Sequence, residues 1–241
     1  IDSDFVVSNS DSGFTYSWLL KNKRKKRWTD KKIKKQKWSM GLCVWYFGTK
    51  NTRNLWKNVG LHTVLNGPRY KGLVNDIFVK GLLSDDMSLY VYRPSVCDKT
   101  VAPSNCDTFY ALSPVPNLNF QSEVDWDKEM EIYKLKMAKF LDSKLIPGFE
   151  EKIVESYFMT PLDFQKRYSS PFGSGFSLEP RMFQSAWFRP HNISEEIHGL
   201  FLVGAGTHPG PGVPGVIASA EILTKLIHKE INFANKSFKE K

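Results

Sequence analysis

The sequence lacks the features that mark secreted, metal-binding or membrane-spanning proteins. Its 241 residues include only three cysteines, Cys43, Cys97 and Cys106, without the spacing of a metal site. We therefore expect no metal centre and a reducing, intracellular compartment. No run approaches the ~18 consecutive apolar residues of a membrane-spanning helix, and no signal peptide is visible. Hydrophobic residues still make up 41% of the chain and aromatics 14%, which predicts a folded, aromatic-rich protein.

Positive charge is concentrated in one cationic segment, residues 21–37. It holds eleven of the 34 Lys and Arg residues and one of the 25 acidic residues, so the rest of the chain carries 23 cations against 24 anions. A solvated helix face is one interpretation. Attachment to an anionic membrane surface is another, because each basic residue near such a surface contributes about 1 kcal/mol and Trp18, Trp28 and Trp38 could act as interfacial aromatics. Nucleic-acid binding is disfavoured, because no recognisable reading module accompanies the charge.

Four segments rich in aromatic and β-branched residues predict an antiparallel sheet. They are residues 41–48, 61–70, 87–95 and 107–116. Such a sheet could form one wall of an apolar cavity. Helices are predicted over 14–20, 73–78, 127–141 and 216–230 and from Thr160 onward, further strands over 5–7 and 199–206, and a helical or extended link over 149–161.

A glycine-rich corner lies near the carboxy terminus. Gly210, Gly212 and Gly215 match the G-x-G-x-x-G dinucleotide fingerprint. The preceding strand, however, ends too early, no second strand follows the helix, and two prolines remove N–H donors, so an independent Rossmann fingerprint is disfavoured. We instead expect Gly-Ala-Gly at 204–206 to let a ligand approach the backbone. A helix beginning near 215–216 would then offer its positive end to a pyrophosphate or a reduced flavin. An ordinary strand–loop–helix corner is the alternative.

Other polar residues give weaker signals. His208 lies in the glycine corner and could face a ligand, although a structural role is equally consistent with the sequence. No Ser-His-Asp order is present, and GSGFS has glycine where a nucleophile elbow has serine. Four charged residues among prolines and aromatics could be buried and paired: Arg69, Arg181, Arg189 and Glu179.

The corner and its neighbours resemble one enzyme family. GLFLVGAGTHPGPGVPGVIASA is similar to the carboxy-terminal flavin-binding signature of the phytoene desaturases, the carotenoid-forming branch of the amine-oxidase-like flavoproteins. Further stretches resemble the same family in the same order: DFVVSNSD (4–11), YFG (46–48), GPRY (67–70), LYVYRPSVCD (89–98), ALSPVP (111–116), FMTPLDF (158–164), GSGFSLEP (173–180) and QSAWFRPHN (184–192).

This resemblance implies an α+β or α/β fold, in which an antiparallel substrate-domain sheet with helices adjoins the last strand, loop and helix of a Rossmann-like FAD-binding domain. The amino-terminal half of that FAD-binding domain is expected to be missing. Residues 1–12 would return to the FAD-binding domain, 13–190 would form the polyene-binding domain, and 191–241 would complete the FAD-binding domain. The resemblance implies FAD contacts at Gly204, Ala205, Gly206, Thr207, Gly212, Val213, Pro214, Gly215 and Val216.

The chemistry that the resemblance implies is desaturation of a phytoene-like polyene by hydride transfer to flavin, with a quinone or oxygen as electron acceptor. It identifies no catalytic acid or base. We expect a cytoplasmic protein associated peripherally with a membrane, and a fragment that is inactive alone. The alternatives are a diapophytoene desaturase, a carotenoid ketolase or isomerase, or a non-catalytic membrane-binding module.

Overall fold

The computed structural model describes residues 2–120 and 124–239, with side chains to residue 232. The strands in chain order are β1 (Val6–Ser8), β2 (Gly41–Thr49), β3 (His62–Leu65), β4 (Leu89–Tyr92), β5 (Asp107–Val115), β6 (Ile153–Met159) and β7 (Leu200–Leu202). The α-helices are α1 (Ser12–Phe14), α2 (Asp30–Lys35), α3 (Tyr70–Asn75), α4 (Trp126–Lys144), α5 (Pro161–Tyr168) and α6 (Val213–Lys239). Single π-helical turns, Thr15–Leu19 and Asp76–Lys80, extend α1 and α3.

The chain divides into two compact units, residues 1–39 with 167–241 and residues 40–166. Residues 13–39 and 167–190, which we expected to belong to the polyene-binding domain, therefore lie in the same unit as 191–241. The physical reason is a shared apolar core, formed by Tyr16, Trp28, Ile33, Trp38, Leu178 and Leu202. The functional assignment of the two units stays a prediction.

The unit of residues 40–166 contains an antiparallel sheet with strand order β3-β4-β5-β2-β6. The four strands predicted from the sequence are all present, so that prediction is confirmed. The fifth strand, β6, lies within residues 149–161, for which the sequence predicts a helical or extended link. It follows a short 3-10 turn at Glu150–Lys152 and pairs along one edge of β2.

One face of this sheet packs against α4. Alternate residues of β2, including Cys43, Trp45 and Phe47, point into this core, as period-two alternation requires. From α4, Tyr133, Met137 and Leu141 are buried, and the Tyr133 hydroxyl lies 2.6 Å from the Ser113 hydroxyl. The helix predicted over 127–141 is therefore confirmed.

The core face ends in a buried polar network at the start of β5. Arg93 and Asp107 are 2% and 1% exposed and form a two-pronged ion pair. Ser95 and Thr52 donate their hydroxyls to the same carboxylate at 2.6 and 2.8 Å, and the remaining Arg93 donors reach backbone carbonyls. Each charge is thus paired and hydrogen-bonded, which is the condition for burying it.

The other unit contains a parallel pair, β1 with β7, in which Val6 lies opposite Leu200 and Ser8 opposite Leu202. The strand predicted at 5–7 is confirmed with a shift of one residue. The long helix α6 begins at Val213, earlier than expected, and its first i→i−4 bond joins the Val216 N–H to the Gly212 carbonyl at 2.9 Å. Over the described residues, every helix is too short or too polar to cross a membrane.

Candidate functional site

The glycine corner joins β7 to α6 and contains all nine residues that the sequence suggested for cofactor binding. Gly204, Ala205, Gly206 and Thr207 form the turn after β7, Gly212 lies in the following bend, and Val213 to Val216 form the first turn of α6. Gly204, Gly210 and Gly212 have φ of +110°, +140° and +93°, which disfavour residues with a side chain.

The carbonyl groups of the turn accept hydrogen bonds from buried side chains. Thr207 Oγ1 donates to the Gly204 carbonyl at 2.9 Å, and Ser12 Oγ donates to the Gly206 carbonyl at 2.7 Å. Arg189 Nη1 donates to the Ala205 carbonyl between them at 2.8 Å. The negative ends of three consecutive peptide dipoles are therefore bound by the protein's own donors, so they are satisfied without a ligand.

Ser219, which is fully buried in α6, connects the turn to the helix. Its hydroxyl accepts from the Gly204 N–H at 3.0 Å and donates to the Val216 carbonyl at 2.7 Å. The loop and the helix also approach closely at Gly215, where a Cβ atom would lie 2.6 Å from the Gly210 carbonyl oxygen. A side chain at position 215 is excluded by this close carbonyl oxygen and not by the backbone conformation of Gly215.

Arg189 is the buried charge beneath the corner. It is 1% exposed, and Nη2 donates to the Leu178 carbonyl at 2.6 Å. Burial lowers its pKa to about 10, an effect that nearby Asp11 opposes. Of the four charged residues that we expected to be buried and paired, Arg189 is buried, whereas Arg181 with Glu179 and Arg69 with Asp76 form more exposed ion pairs.

Asp11 caps α1 by accepting a 2.7 Å hydrogen bond from the Gly13 N–H. Burial raises the pKa of its carboxyl, and backbone hydrogen bonds, the nearby Ser177 hydroxyl and the charge of Arg189 only partly offset that rise. The residue lies three positions after the end of β1, and the neighbouring Ser12 contacts the Gly206 carbonyl, so Asp11 lies beside the glycine corner.

His208 is half-buried. Its backbone N–H donates to the Pro190 carbonyl at 2.9 Å, and its imidazole ring lies edge-on to the Trp187 ring with 6.2 Å between centroids. Within 2–120 and 124–239, no three His, Cys, Asp or Glu side chains are arranged to hold a metal ion.

The second face of the five-stranded sheet carries an aromatic row that crosses all five strands. Its members lie directly opposite one another in the order His62, Tyr92, Tyr110, Tyr46, Tyr157. Successive ring centroids are 5.2, 5.1, 5.7 and 6.4 Å apart. An adjacent row is largely apolar and consists of Val64, Tyr90, Leu112, Val44 and Met159. The sheet therefore offers an aromatic face opposite its core, whereas Val44 and Met159 of the adjacent row are buried.

The cationic segment is folded into its unit rather than exposed throughout. Glu196 accepts hydrogen bonds from the N–H groups of Lys26, Arg27 and Trp28 at 2.6–2.7 Å. Burial opposes ionisation of Glu196, but these bonds outweigh it and lower the carboxyl pKa. The Lys25 side chain is 4% exposed and pairs with Asp30 at 2.9 Å.

The three tryptophans do not share one role. Trp28 and Trp38 are each 3% exposed, so our interpretation of them as interfacial aromatics is wrong, because both belong to the apolar core of their unit. Trp18 is 59% exposed, and Lys21 Nζ lies 4.7 Å from its ring centroid. The exposed basic residues near Trp18 are Lys21, Lys23, Arg24, Lys26 and Arg27.

Comparison with known proteins identifies the relatives of this chain. It is 60% identical over 227 residues to the phytoene desaturase (neurosporene-forming) of Rhodobacter capsulatus, covering 94% of this chain and 43% of that protein. The chain is homologous to the phytoene desaturases. It is also 38% identical over 226 residues to the lycopene-forming enzyme of Pantoea ananas, covering 94% of this chain and 45% of the relative. The chain thus spans less than half the length of these relatives.

Further similarities agree with this homology. The 4,4'-diapophytoene desaturase (4,4'-diaponeurosporene-forming) of Staphylococcus aureus strain Newman is 39% identical over 176 residues, covering 72% of this chain and 35% of that protein. A crystal structure of an oxidoreductase from Methanosarcina mazei matches with a TM-score of 0.56 and 15% identity, over 93% of this chain and 43% of the other, which shows a shared fold. No protein-family profile matches the chain.

The resemblance to the phytoene desaturases can be seen in the sequence of the glycine corner and its neighbours. The side chains that support the corner could not be identified from the sequence. Ser12 and Ser219 carry no sequence signal that separates them from ordinary helix serines. For Arg189 the sequence indicates only a charged residue that could be buried and paired, not its contact with the corner. The aromatic row depends on strand register, and alternating tyrosines alone do not specify which strands are neighbours.

Proposed function

We propose that this chain is the carboxy-terminal part of an FAD-dependent carotenoid desaturase that introduces double bonds into a phytoene-like polyene. The observation that carries the proposal is the 60% identity to a phytoene desaturase over nearly the whole chain. The glycine corner and the aromatic sheet face are the two features that would serve this chemistry.

The geometry of the glycine corner fits a flavin dinucleotide. Around Gly212 a Cβ atom would meet nothing within 4 Å, so the backbone there is open to close approach. The first turn of α6 has N–H groups without an intrahelical partner at Val213 and Gly215, and they lie at the positive end of the helix. Gly204 to Thr207 would lie along the ribityl-phosphate side, and Gly212 to Val216 would lie under the ring.

The residues of the chain bind and orient rather than transfer protons in this proposal. Bound FAD would accept the hydride while a proton leaves the adjacent carbon, and a quinone or oxygen would reoxidise it. Arg189 and Ser12 would hold the carbonyl groups of Ala205 and Gly206 in place and so keep the backbone of the corner rigid for the ligand. No side chain of the corner is assigned as catalytic acid or base.

A hydrocarbon substrate offers no hydrogen-bonding handle, so its binding energy must come from apolar burial, at about 25 cal/mol per Å². The aromatic row would supply such a surface across five strands, and Val64, Tyr90 and Leu112 of the neighbour row would extend it on β3, β4 and β5. Because this substrate dissolves in bilayers, we also propose peripheral attachment of a cytoplasmic protein to an anionic membrane surface through the exposed part of the cationic segment. A 4,4'-diapophytoene substrate is the second candidate, favoured by the similarity to diapophytoene desaturases.

The proposal is tested by joining the chain to the preceding sequence of its gene and expressing the whole in cells that produce phytoene. We expect a coloured polyene whose absorption spectrum reports the number of new double bonds. A gene without an upstream G-x-G-x-x-G segment, or a whole protein that leaves phytoene and diapophytoene unchanged, would contradict the proposal.

The 241 residues alone provide a second test. Since the corner supplies only part of a flavin site, we expect the purified chain to show no stable flavin absorbance and no desaturation. Purification of these residues with bound, reducible FAD would show that the site is complete without further sequence.

A further inference from the structure

A groove of about 430 Å³ opens on the second face of the five-stranded sheet, at the end where β2 finishes and β5 begins. Strands β2, β5 and β6 form its floor, and the loop over 101–106 forms its outer wall. Its volume lies within the range of small-molecule sites, which is about 300–1,000 Å³.

The groove is a continuation of the aromatic row. Tyr46 and Tyr157 belong both to the row and to the groove lining. A rod-shaped apolar ligand lying across the tyrosines could therefore extend into the groove while remaining in contact with apolar surface.

The side chains of the groove favour a hydrocarbon. Val101, Ala102, Pro103 and Val154 line it and make its surface mostly apolar. Its polar members on β5 and β6 include Thr108, Ser156 and the acidic Glu155, and none of its described lining residues is Lys, Arg or His. The Asp107 carboxylate is bound by Arg93, Ser95 and Thr52 on the core face, so it is not available to a ligand.

Gly48 determines the free space on the groove floor. It lies between Thr108 of β5 and Glu155 of β6, in the row next to the tyrosines. A Cβ atom added there would meet only Val154 Cγ2 at 3.8 Å and the Asp107 carbonyl oxygen at 3.9 Å, which are ordinary contacts. A larger side chain is thus compatible with the backbone and would project into the groove.

We infer that this groove receives one end of the polyene chain and that Gly48 is a specificity-determining residue. The inference rests on the proposed function. By leaving the floor open, Gly48 lets the hydrocarbon end extend beyond the aromatic row, and the loop over 101–106 limits how far it can extend. The length of hydrocarbon that the groove admits would then limit how far the polyene advances along the sheet, and with it the number of double bonds introduced.

The first test measures binding without requiring catalysis. Diphenylhexatriene, an uncharged conjugated rod that fluoresces in apolar surroundings, is titrated into the purified 241-residue chain. We expect saturable binding by the wild type and about tenfold weaker binding by Gly48→Phe, because the phenyl group displaces buried apolar contacts. Gly60→Phe is the matched control, since Gly60 is exposed, lies outside the groove and has no atoms within 4 Å of an added Cβ. A wild-type chain that does not bind the probe, or equal binding by Gly48→Phe and wild type, overturns the inference.

The second test measures product distribution in the whole protein expressed with phytoene. We expect Gly48→Phe to accumulate products with fewer new double bonds, Gly48→Ala to fall between it and the wild type, and Gly60→Phe to match the wild type. Unchanged product ratios in a folded Gly48→Phe protein overturn the inference while leaving the desaturase proposal intact. If the whole wild-type protein performs no desaturation, that result contradicts the proposed function instead. The probe titration then still decides whether the groove binds hydrocarbon.

Discussion

Arg93 and Asp107 form a buried ion pair in which Nη2 lies 2.9 Å from Oδ2 and Nε lies 3.1 Å from Oδ1. The pair closes the end of the sheet core, where β4 leads into a turn and β5 begins. Burial opposes ionisation of the Asp107 carboxyl, but the hydrogen bonds from Arg93, Ser95 and Thr52 outweigh burial and hold its pKa below the usual range. This arrangement makes the stability of the sheet dependent on pH.

We predict that Asp107→Asn destabilises the chain by about 3–5 kcal/mol at neutral pH, because Arg93 is left buried without its counter-charge. A carboxyl whose pKa is lower in the folded state than in the unfolded state stabilises the fold at every pH above its unfolded-state pKa of about 3.9. That contribution is lost as the pH falls below this value and through the pKa of the folded state. Urea unfolding from pH 7 to acid should therefore show the variant and wild type converging below about pH 4. Asp127→Asn, at an exposed site in the same unit, is the control. A constant difference across this range would contradict the linkage.

Asp11 is predicted to respond to pH in the opposite sense. Burial raises its folded pKa, so its contribution to stability falls as pH rises above the unfolded value of about 3.9. Asp11→Asn keeps an oxygen that can accept from the Gly13 N–H but carries no charge. We expect this variant to gain stability relative to wild type between pH 4 and pH 7. A variant that loses stability relative to wild type as pH rises would show that the pairing of Asp11 with Arg189 outweighs burial.

The glycine corner offers a test that separates backbone strain from side-chain contact. Gly210→Ala places a Cβ atom 3.3 Å from Arg189 Nε at φ +140°, whereas Gly212→Ala has φ +93° and open space. Both should lose about 1–3 kcal/mol from backbone strain, and Gly210→Ala should lose more. Thermal unfolding of both variants, with Gly60→Ala as a control in open space, measures the difference. Equal losses at 210 and 212 would show that the Arg189 contact is unimportant.

Local pattern was sufficient to predict much of the secondary structure. The strand over 41–48 and the helix over 127–141 were found because their apolar residues repeat with periods of two and 3.6. The sequence did not distinguish strand β6 from a helix, because Glu155 and Ser156 interrupt its apolar pattern. An exposed strand at the edge of a sheet permits such polar residues. Only pairing with β2 shows that this stretch is extended.

The remaining features depend on contacts between distant residues. The positions of Trp28 and Trp38 could not be read from their lysine-rich surroundings, because burial of each ring is decided by partners such as Tyr16 and Leu178. The same holds for the compact units, whose boundaries follow from that shared core. The residues proposed to bind FAD were identified by resemblance, and their role remains a prediction.

Membrane attachment is predicted to depend on the exposed residues near Trp18 and not on the buried part of the cationic segment. Changing Lys21, Lys23, Arg24 and Lys26 to Gln should weaken sedimentation with phosphatidylserine vesicles, since each basic residue near such a surface contributes about 1 kcal/mol. The loss of vesicle binding should be larger in 0.01 M salt than in 0.1 M salt, because the screening length is about 30 Å at the lower concentration and about 10 Å at the higher one. Trp18→Ala should also weaken binding, because its exposed ring can enter the interface. The charge-matched control replaces four exposed lysines of the other unit with Gln, at Lys57, Lys71, Lys99 and Lys128. If both quadruple variants lose the same affinity, the attraction depends on net charge alone, and residues 21–26 are not a docking surface.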